Sequence, residues 1–161
     1  MKMNRWFALV FVAVMVFASG AFAQGPPPYG APISLDVAKK ITGAAIAEAK
    51  KNNWGMVVVV TDGGGSLIFL ERLDGTHNAS VDVAIMKARS SAAYRNSTKV
   101  FADLLAQGGL GNRFLVLPGA MPVGGGLPIV IDGKLVGAIG VSGGTMAQDE
   151  QVAAAGMNAL K

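Results

Sequence analysis

Apolar and polar positions follow two rhythms along this chain, one helical and one of unbroken β-branched runs, and together they predict its elements. From Leu35 to about Lys51, Val37, Ala38, Ile41, Ala45 and Ala49 recur at helical spacing. Ser34 is placed to cap that helix, Lys50-Lys51 complement its C-terminal dipole, and Asn52-Asn53 stop it. Met56 to Thr61 is a continuous apolar run, which predicts a strand buried on both faces. Asp62-Gly63-Gly64-Gly65 links it to a second strand, Ser66 to Arg72, in an antiparallel hairpin. A polar loop from Leu73 to Ala79 follows, then a helix from Val81 to about Tyr94 capped by Ser80. Its Ala84, Ala88, Ser91 and Ala92 form a small-residue face suited to close packing. Thr98 to Leu105 predicts a shorter helix, stopped by Gly108-Gly109, and Arg113 to Leu117 a further strand.

The strongest local signal comes last. Leu127 to Ile131 and Lys134 to Ser142 flank the hairpin dipeptide Asp132-Gly133, and the second of these strands runs through Gly143-Gly144 into a capped helix. Thr145-x-x-Gln148 matches a capping box, Asp149-Glu150 put negative charge in the first turn, and the helix is expected to reach about Leu160. Four or five strands, mostly antiparallel, with helices before, between and after them, predict a single α+β domain over residues 34–161.

Two segments before this domain read differently. Lys2 and Arg5, the apolar stretch Trp6 to Phe17 and the small residues Ala21 and Ala23 predict a secretory signal over residues 1–23, with retention as a membrane anchor the alternative. Residues 24–33, QGPPPYGAP and the residue after it, predict a flexible Pro/Gly-rich lead-in. Localisation is therefore expected to be periplasmic or extracellular. Removing the leader leaves 12 basic against 10 acidic residues, too balanced and too dispersed for a nucleic-acid surface. The chain has no cysteine and one histidine, so no zinc or iron–sulfur site and no cysteine nucleophile is expected.

The candidate chemistry gathers around glycine and a few charges. Gly125, Gly126, Gly143 and Gly144 allow close backbone approach to a ligand, and Gly143-Gly144-Thr145 abuts a helix N-terminus able to receive an anion. No Walker or dinucleotide motif accompanies these glycines. His77, in the loop before a helix, is the candidate metal ligand, and Arg72 and Lys87 are candidate anion partners. Asp149 is a candidate acid or base.

The segments VVVTDGGGSLIFLERLDGT, VAIMKARSSAAYRNSTKVF, LPGAMPVGGGLPIVIDGKLVGAIGVSGG and TMAQDEQVAAAG, in this order, resemble the GlcG/HbpS family of haem-binding-protein-like domains from about Leu35 to Lys161. The resemblance implies an antiparallel sheet of about five strands flanked by helices in profilin-like layering, and assembly into a homo-oligomer, dimeric or higher. The family includes secreted haem-binding proteins, domains fused to corrinoid adenosyltransferases, and proteins encoded beside oxo-acid catabolic enzymes. Some members hold haem through a histidine on the first helix, and Leu35 to Lys51 contains none. Ligation here would fall to His77, a tyrosine such as Tyr94, a methionine, or a site shared between subunits.

The expected function is accordingly a secreted haem- or tetrapyrrole-binding protein, acting in sequestration, delivery or sensing. Its porphyrin would lie near the hairpin and the Gly143-Gly144 turn. Two alternatives stay open. One is a small oxo-acid enzyme, an isomerase, hydratase or tautomerase, in which the Gly143-Gly144-Thr145 backbone holds a carboxylate, Lys87 or Arg72 stabilises an enolate and Asp149 moves a proton. The other is a non-catalytic accessory subunit.

Overall fold

The computed structural model describes residues 25–160, so the expected secretory signal lies outside the described residues. The elements are α1 (Leu35–Lys51), β1 (Val57–Asp62), β2 (Leu67–Arg72), α2 (Ala79–Tyr94), α3 (Thr98–Ala106), a 3-10 helix (Gly109–Leu115), β3 (Gly126–Ile131), β4 (Lys134–Ser142) and α4 (Met146–Asn158). The strands form one antiparallel sheet in the order β2-β1-β4-β3. This is the α+β arrangement expected, with helices on both faces.

The layering follows from the alternation of β1. Val58 and Val60 face α1 and α4, joining Ala38, Ile41, Ala45, Val152 and Ala153 in the larger core. Val57 and Val59 face α2 and meet Ala84 and Ala88. All four valines are fully buried, because helices cover β1 from both sides. The small face of α2 lets that helix approach closely. A Cβ on Gly140 would run into the backbone of Ala84 and Ala88, so a side chain there would push α2 off the sheet.

Two expectations are corrected. The predicted strand from Arg113 to Leu117 is instead mostly within the 3-10 helix. Phe114 alone turns inward, stacking on Phe101 at 4.6 Å, while Leu115 and Val116 face outward, and none of these residues pairs with a strand of the sheet. One anchoring ring among exposed neighbours suits a tight turn of helix better than a two-faced strand. Helix α2 begins at Ala79, not Val81, and Ser80 is buried within it and not its cap. Asn78 precedes the helix without capping it, since its side chain accepts from Arg72 at 2.9 Å.

The Pro/Gly-rich lead-in runs beside β4 where β1 has ended. Leu135 N–H donates to Pro28 O at 2.8 Å, Gly30 N–H to Leu135 O at 2.7 Å and Ile33 N–H to Val136 O at 2.9 Å. Tyr29 forms a parallel bridge with Leu135, its hydroxyl lies 3.3 Å from the carbonyls of Ala92 and Ala93, and Arg95 sits over its ring. β1 reaches only as far as the Asp62–Gly137 pair, so these bonds satisfy β4 backbone groups that the hairpin leaves open.

Candidate functional site

Helix α2 puts Ala84, Lys87, Ala88 and Ser91 on one stripe, three and four residues apart, and that stripe faces the sheet. Lys87 is therefore carried inside. Its ammonium donates to Val141 O at 2.9 Å and to Asp149 Oδ2 at 2.6 Å, with the two side chains 1% and 3% exposed. Asp149 is held from the other side by α4. Thr145 and Gln148 form the expected capping box, which fixes the first turn, and Gly144 N–H donates to Asp149 Oδ1 at 3.0 Å. Burial pushes the Asp149 carboxyl above its usual range, against the opposing pull of the Lys87 ammonium and the Gly144 and Gly143 amides.

The glycine cluster seals this pair. Gly125 has φ +112, and a Cβ there would lie 2.8 Å from both Asp149 Cβ and Val141 O and 3.1 Å from Lys87 Nζ. Gly126 N–H donates to Thr98 Oγ1 at 2.9 Å, and a Cβ on Gly126 would strike the Lys87 carbonyl. The structure thus brings together Lys87, Gly125, Gly126, Gly143, Gly144, Thr145 and Asp149. It does so around an ion pair internal to the fold. Of the three backbone donors expected to receive a ligand anion, two have hydrogen-bond partners within the chain: Gly144 bonds Asp149, and Thr145 N–H donates to Gln148 Oε1 at 2.9 Å. The enolate and proton-transfer roles drawn for Lys87 and Asp149 would need this sealed pair to open.

Arg72 and His77 lie at the same end of the sheet. Val57 pairs with Arg72 on one side and Ser142 on the other, which places the loop after β2 and the turn after β4 on either side of the start of β1. Arg72 donates to Thr76 O at 2.6 Å and Asn78 Oδ1 at 2.9 Å, tying down a loop in which His77 is exposed. Among the described residues, no three His, Cys, Asp or Glu side chains group in a way that could hold a metal ion. None of their helices is long and apolar enough to cross a membrane.

An apolar groove of about 420 Å³ opens at the far end of α2, lined by Tyr94, Val100, Phe101, Leu104, Phe114 and Leu117, with Arg113 at its edge. Its rings are ordered against one another. Tyr94 meets Phe101 edge-on at 5.3 Å, Phe101 stacks on Phe114, and the Arg113 guanidinium lies 5.1 Å from the Phe114 ring centre. Tyr94 donates its hydroxyl to Pro118 O at 2.8 Å. The residues that build this floor, Phe101 and Phe114, were not singled out from the sequence. The helical spacing of Phe101 and Leu104 was a visible signal, but the strand expected at Arg113 to Leu117 hid the ring stacking.

The family model described as "Haem degrading protein HbpS-like" matches residues 33–158. The chain belongs to the HbpS-like family. Protein GlcG of Escherichia coli strain K12 is 38% identical over 110 residues, covering 68% of this chain and 81% of GlcG. A double mutant of HbpS from Streptomyces reticuli has a solved structure that superposes with a TM-score of 0.75 at 31% identity, covering 89% of this chain and 97% of that one. The solved PduOC:haem complex gives a TM-score of 0.72 at 26% identity, covering 80% and 94%. The HbpS-like match spans all the strands and helices described above.

Proposed function

We propose that this HbpS-like protein binds haem or a related tetrapyrrole after export, as a homo-oligomer, for sequestration, delivery or sensing. The observation that carries the reading is the aromatic groove at the end of α2, which moves the porphyrin away from the Gly143-Gly144 turn expected from the sequence, where the Gly144 and Thr145 amides are already bonded within the chain. The stacked Phe101 and Phe114 rings are buried as the groove's floor, the partly exposed Tyr94, Val100, Leu104 and Leu117 offer the apolar surface, and the Arg113 cation stands where a propionate would be matched by a guanidinium fork. A volume of about 420 Å³ suits partial burial of a porphyrin, with a second copy closing over the exposed side. A haem complex of a similar domain supports the same chemistry. Haem, when bound, supplies an iron centre.

Two side chains of this chain offer that iron a ligand. Tyr94 borders the groove and carries a phenol oxygen. His77 precedes the opposite end of α2, and a 16-residue helix spans about 24 Å at 1.5 Å per residue. Within one chain His77 is therefore remote from the groove, and it would serve a porphyrin there only from a neighbouring copy.

Haem titration followed at the Soret band tests the proposal. A sharp, saturable change with micromolar or tighter affinity, on the order of −8 kcal/mol, is expected. Arg113→Glu weakens it, and Tyr94→Phe or His77→Ala changes the spectrum according to which residue ligates. Broad, non-saturating change would overturn the proposal.

A further inference from the structure

The lead-in docks on more than the sheet. It also reaches the C-terminal end of α2, where the last carbonyls of a helix have no partner further along it. Tyr29 meets that need, since its one hydroxyl proton is shared between Ala92 O and Ala93 O, each 3.3 Å away. Helix α2 has no basic residue in its last turn to do this instead. The residue after the helix is drawn in as well. Arg95 adopts a left-handed conformation at φ +53, uncommon for a residue with a side chain. Its guanidinium lies 5.3 Å from the centre of the Tyr29 ring and donates to Pro27 O at 3.3 Å. The Arg95 and Asn96 amides both donate back to Ser91 O, which closes the helix end.

Tyr94 and Asn96, on either side of Arg95 in the chain, both line the aromatic groove. Tyr94 is the ring that meets Phe101 edge-on. We propose that the lead-in is a latch for this groove, with Tyr29 its positioning residue. Docked, it caps α2 and holds Tyr94 and Asn96 in place; undocked, it lets that wall of the groove loosen. The groove as a haem site rests on the function proposed above, whereas the latch is a property of the free chain. The Tyr29 ring is 53% exposed, so the segment around it is held by a few contacts at the rim and opens as a local unit. A ligand that needs the groove wall ordered must then, by linkage, favour the docked latch.

Hydrogen exchange on the full chain, followed amide by amide, tests the latch. Leu135 N–H, which donates to Pro28 O, reports docking, Arg95 and Asn96 report the helix end, and Gly144, beyond the opposite end of β4, is the control. Tyr29→Ala should speed exchange at Leu135, Arg95 and Asn96 by about tenfold or more and leave Gly144 unchanged. Gly30→Val should do the same without altering Tyr29 or Arg95, because a Cβ on Gly30 would lie 2.8 Å from Lys134 Cβ and lifts the segment off β4. Fast exchange at Leu135 with Arg95 and Asn96 still protected, in either variant, overturns the proposal. So does unchanged exchange at all three in Tyr29→Ala. Haem gives the reciprocal measurement. Saturating haem should slow Leu135 exchange in the parent, although Leu135 does not line the groove, and Tyr29→Ala should weaken haem affinity about tenfold. Saturable haem binding with Leu135 exchange unchanged overturns the coupling; absence of saturable binding overturns the porphyrin reading, and the exchange pattern of the two variants still decides the latch.

Discussion

Lys87 on α2 and Asp149 on α4 meet at 2.6 Å, 62 residues apart in sequence and on different helices, with Val141 O of β4 completing the ammonium's contacts. This contact ties the helix on one face of the sheet to the first turn of the helix that packs on the other. Both charges are out of water, so each is tolerable only because the other is present.

Removing one partner therefore costs far more than removing both. Lys87→Met and Asp149→Leu should each destabilise the protein by about 3–5 kcal/mol in urea unfolding, since each strands a buried charged group. The combined Lys87→Met, Asp149→Leu variant should recover a large part of that loss. Additive losses in the double variant would show that the pair is not coupled in this way.

Gly125 should tolerate no side chain. Its positive φ costs an alanine about 1–2 kcal/mol, and overpacking against Asp149 and Val141 adds about 1–3 kcal/mol. Gly125→Ala is expected to lower the thermal midpoint and to loosen the Lys87–Asp149 pair. Hydrogen exchange at Gly144, whose amide bonds Asp149, reports the second effect.

The capping box at the start of α4 gives a cleaner local test. Thr145→Ala removes the acceptor for Gln148 N–H and should cost about 1 kcal/mol, with Thr145→Ser close to neutral. Equal losses in the two variants would place the effect in packing and not in the cap.

The two clearest surface carboxylates should move stability in opposite directions with pH. Hydrogen bonds from Gln151 and Asn52 hold Glu48 below its ordinary value of 4.5, so the folded chain favours its charged form. That stabilisation is present above pH 4.5 and is lost as pH falls through the lowered folded value. Glu48→Gln should be less stable than the parent at neutral pH, with the gap closing in acid. Glu150 is raised, so its charge is a penalty at neutral pH that is relieved as pH falls towards 4.5. Glu150→Gln should be more stable at neutral pH by a few tenths of a kcal/mol, discounted for partial exposure, and indistinguishable below pH 4.5. Unfolding midpoints measured across that range check both.

Local patterns in the sequence determined much of the fold. The helix from Leu35 to Lys51, the doubly buried β1, the strand from Lys134 to Ser142 and the Thr145–Gln148 capping box all depend on residues within a few positions of one another. Periodicity and capping act over that range, so they are legible in one dimension. The HbpS-like family was legible for a related reason, since its motifs are runs of consecutive residues. Only the tertiary structure decided what those residues do to each other. It turned Lys87 and Asp149 from candidate reactive groups into a sealed pair, gave the Gly144 donor to a carboxylate of the chain itself, and folded Arg113 to Leu117 around Phe114 as mostly 3-10 helix where the pattern suggested a strand. It also left the Glu150 acceptor without a partner. Each of these depends on which distant groups arrive in the same low-dielectric space, and pairing, desolvation and ring stacking across such distances leave no spacing along the chain to read.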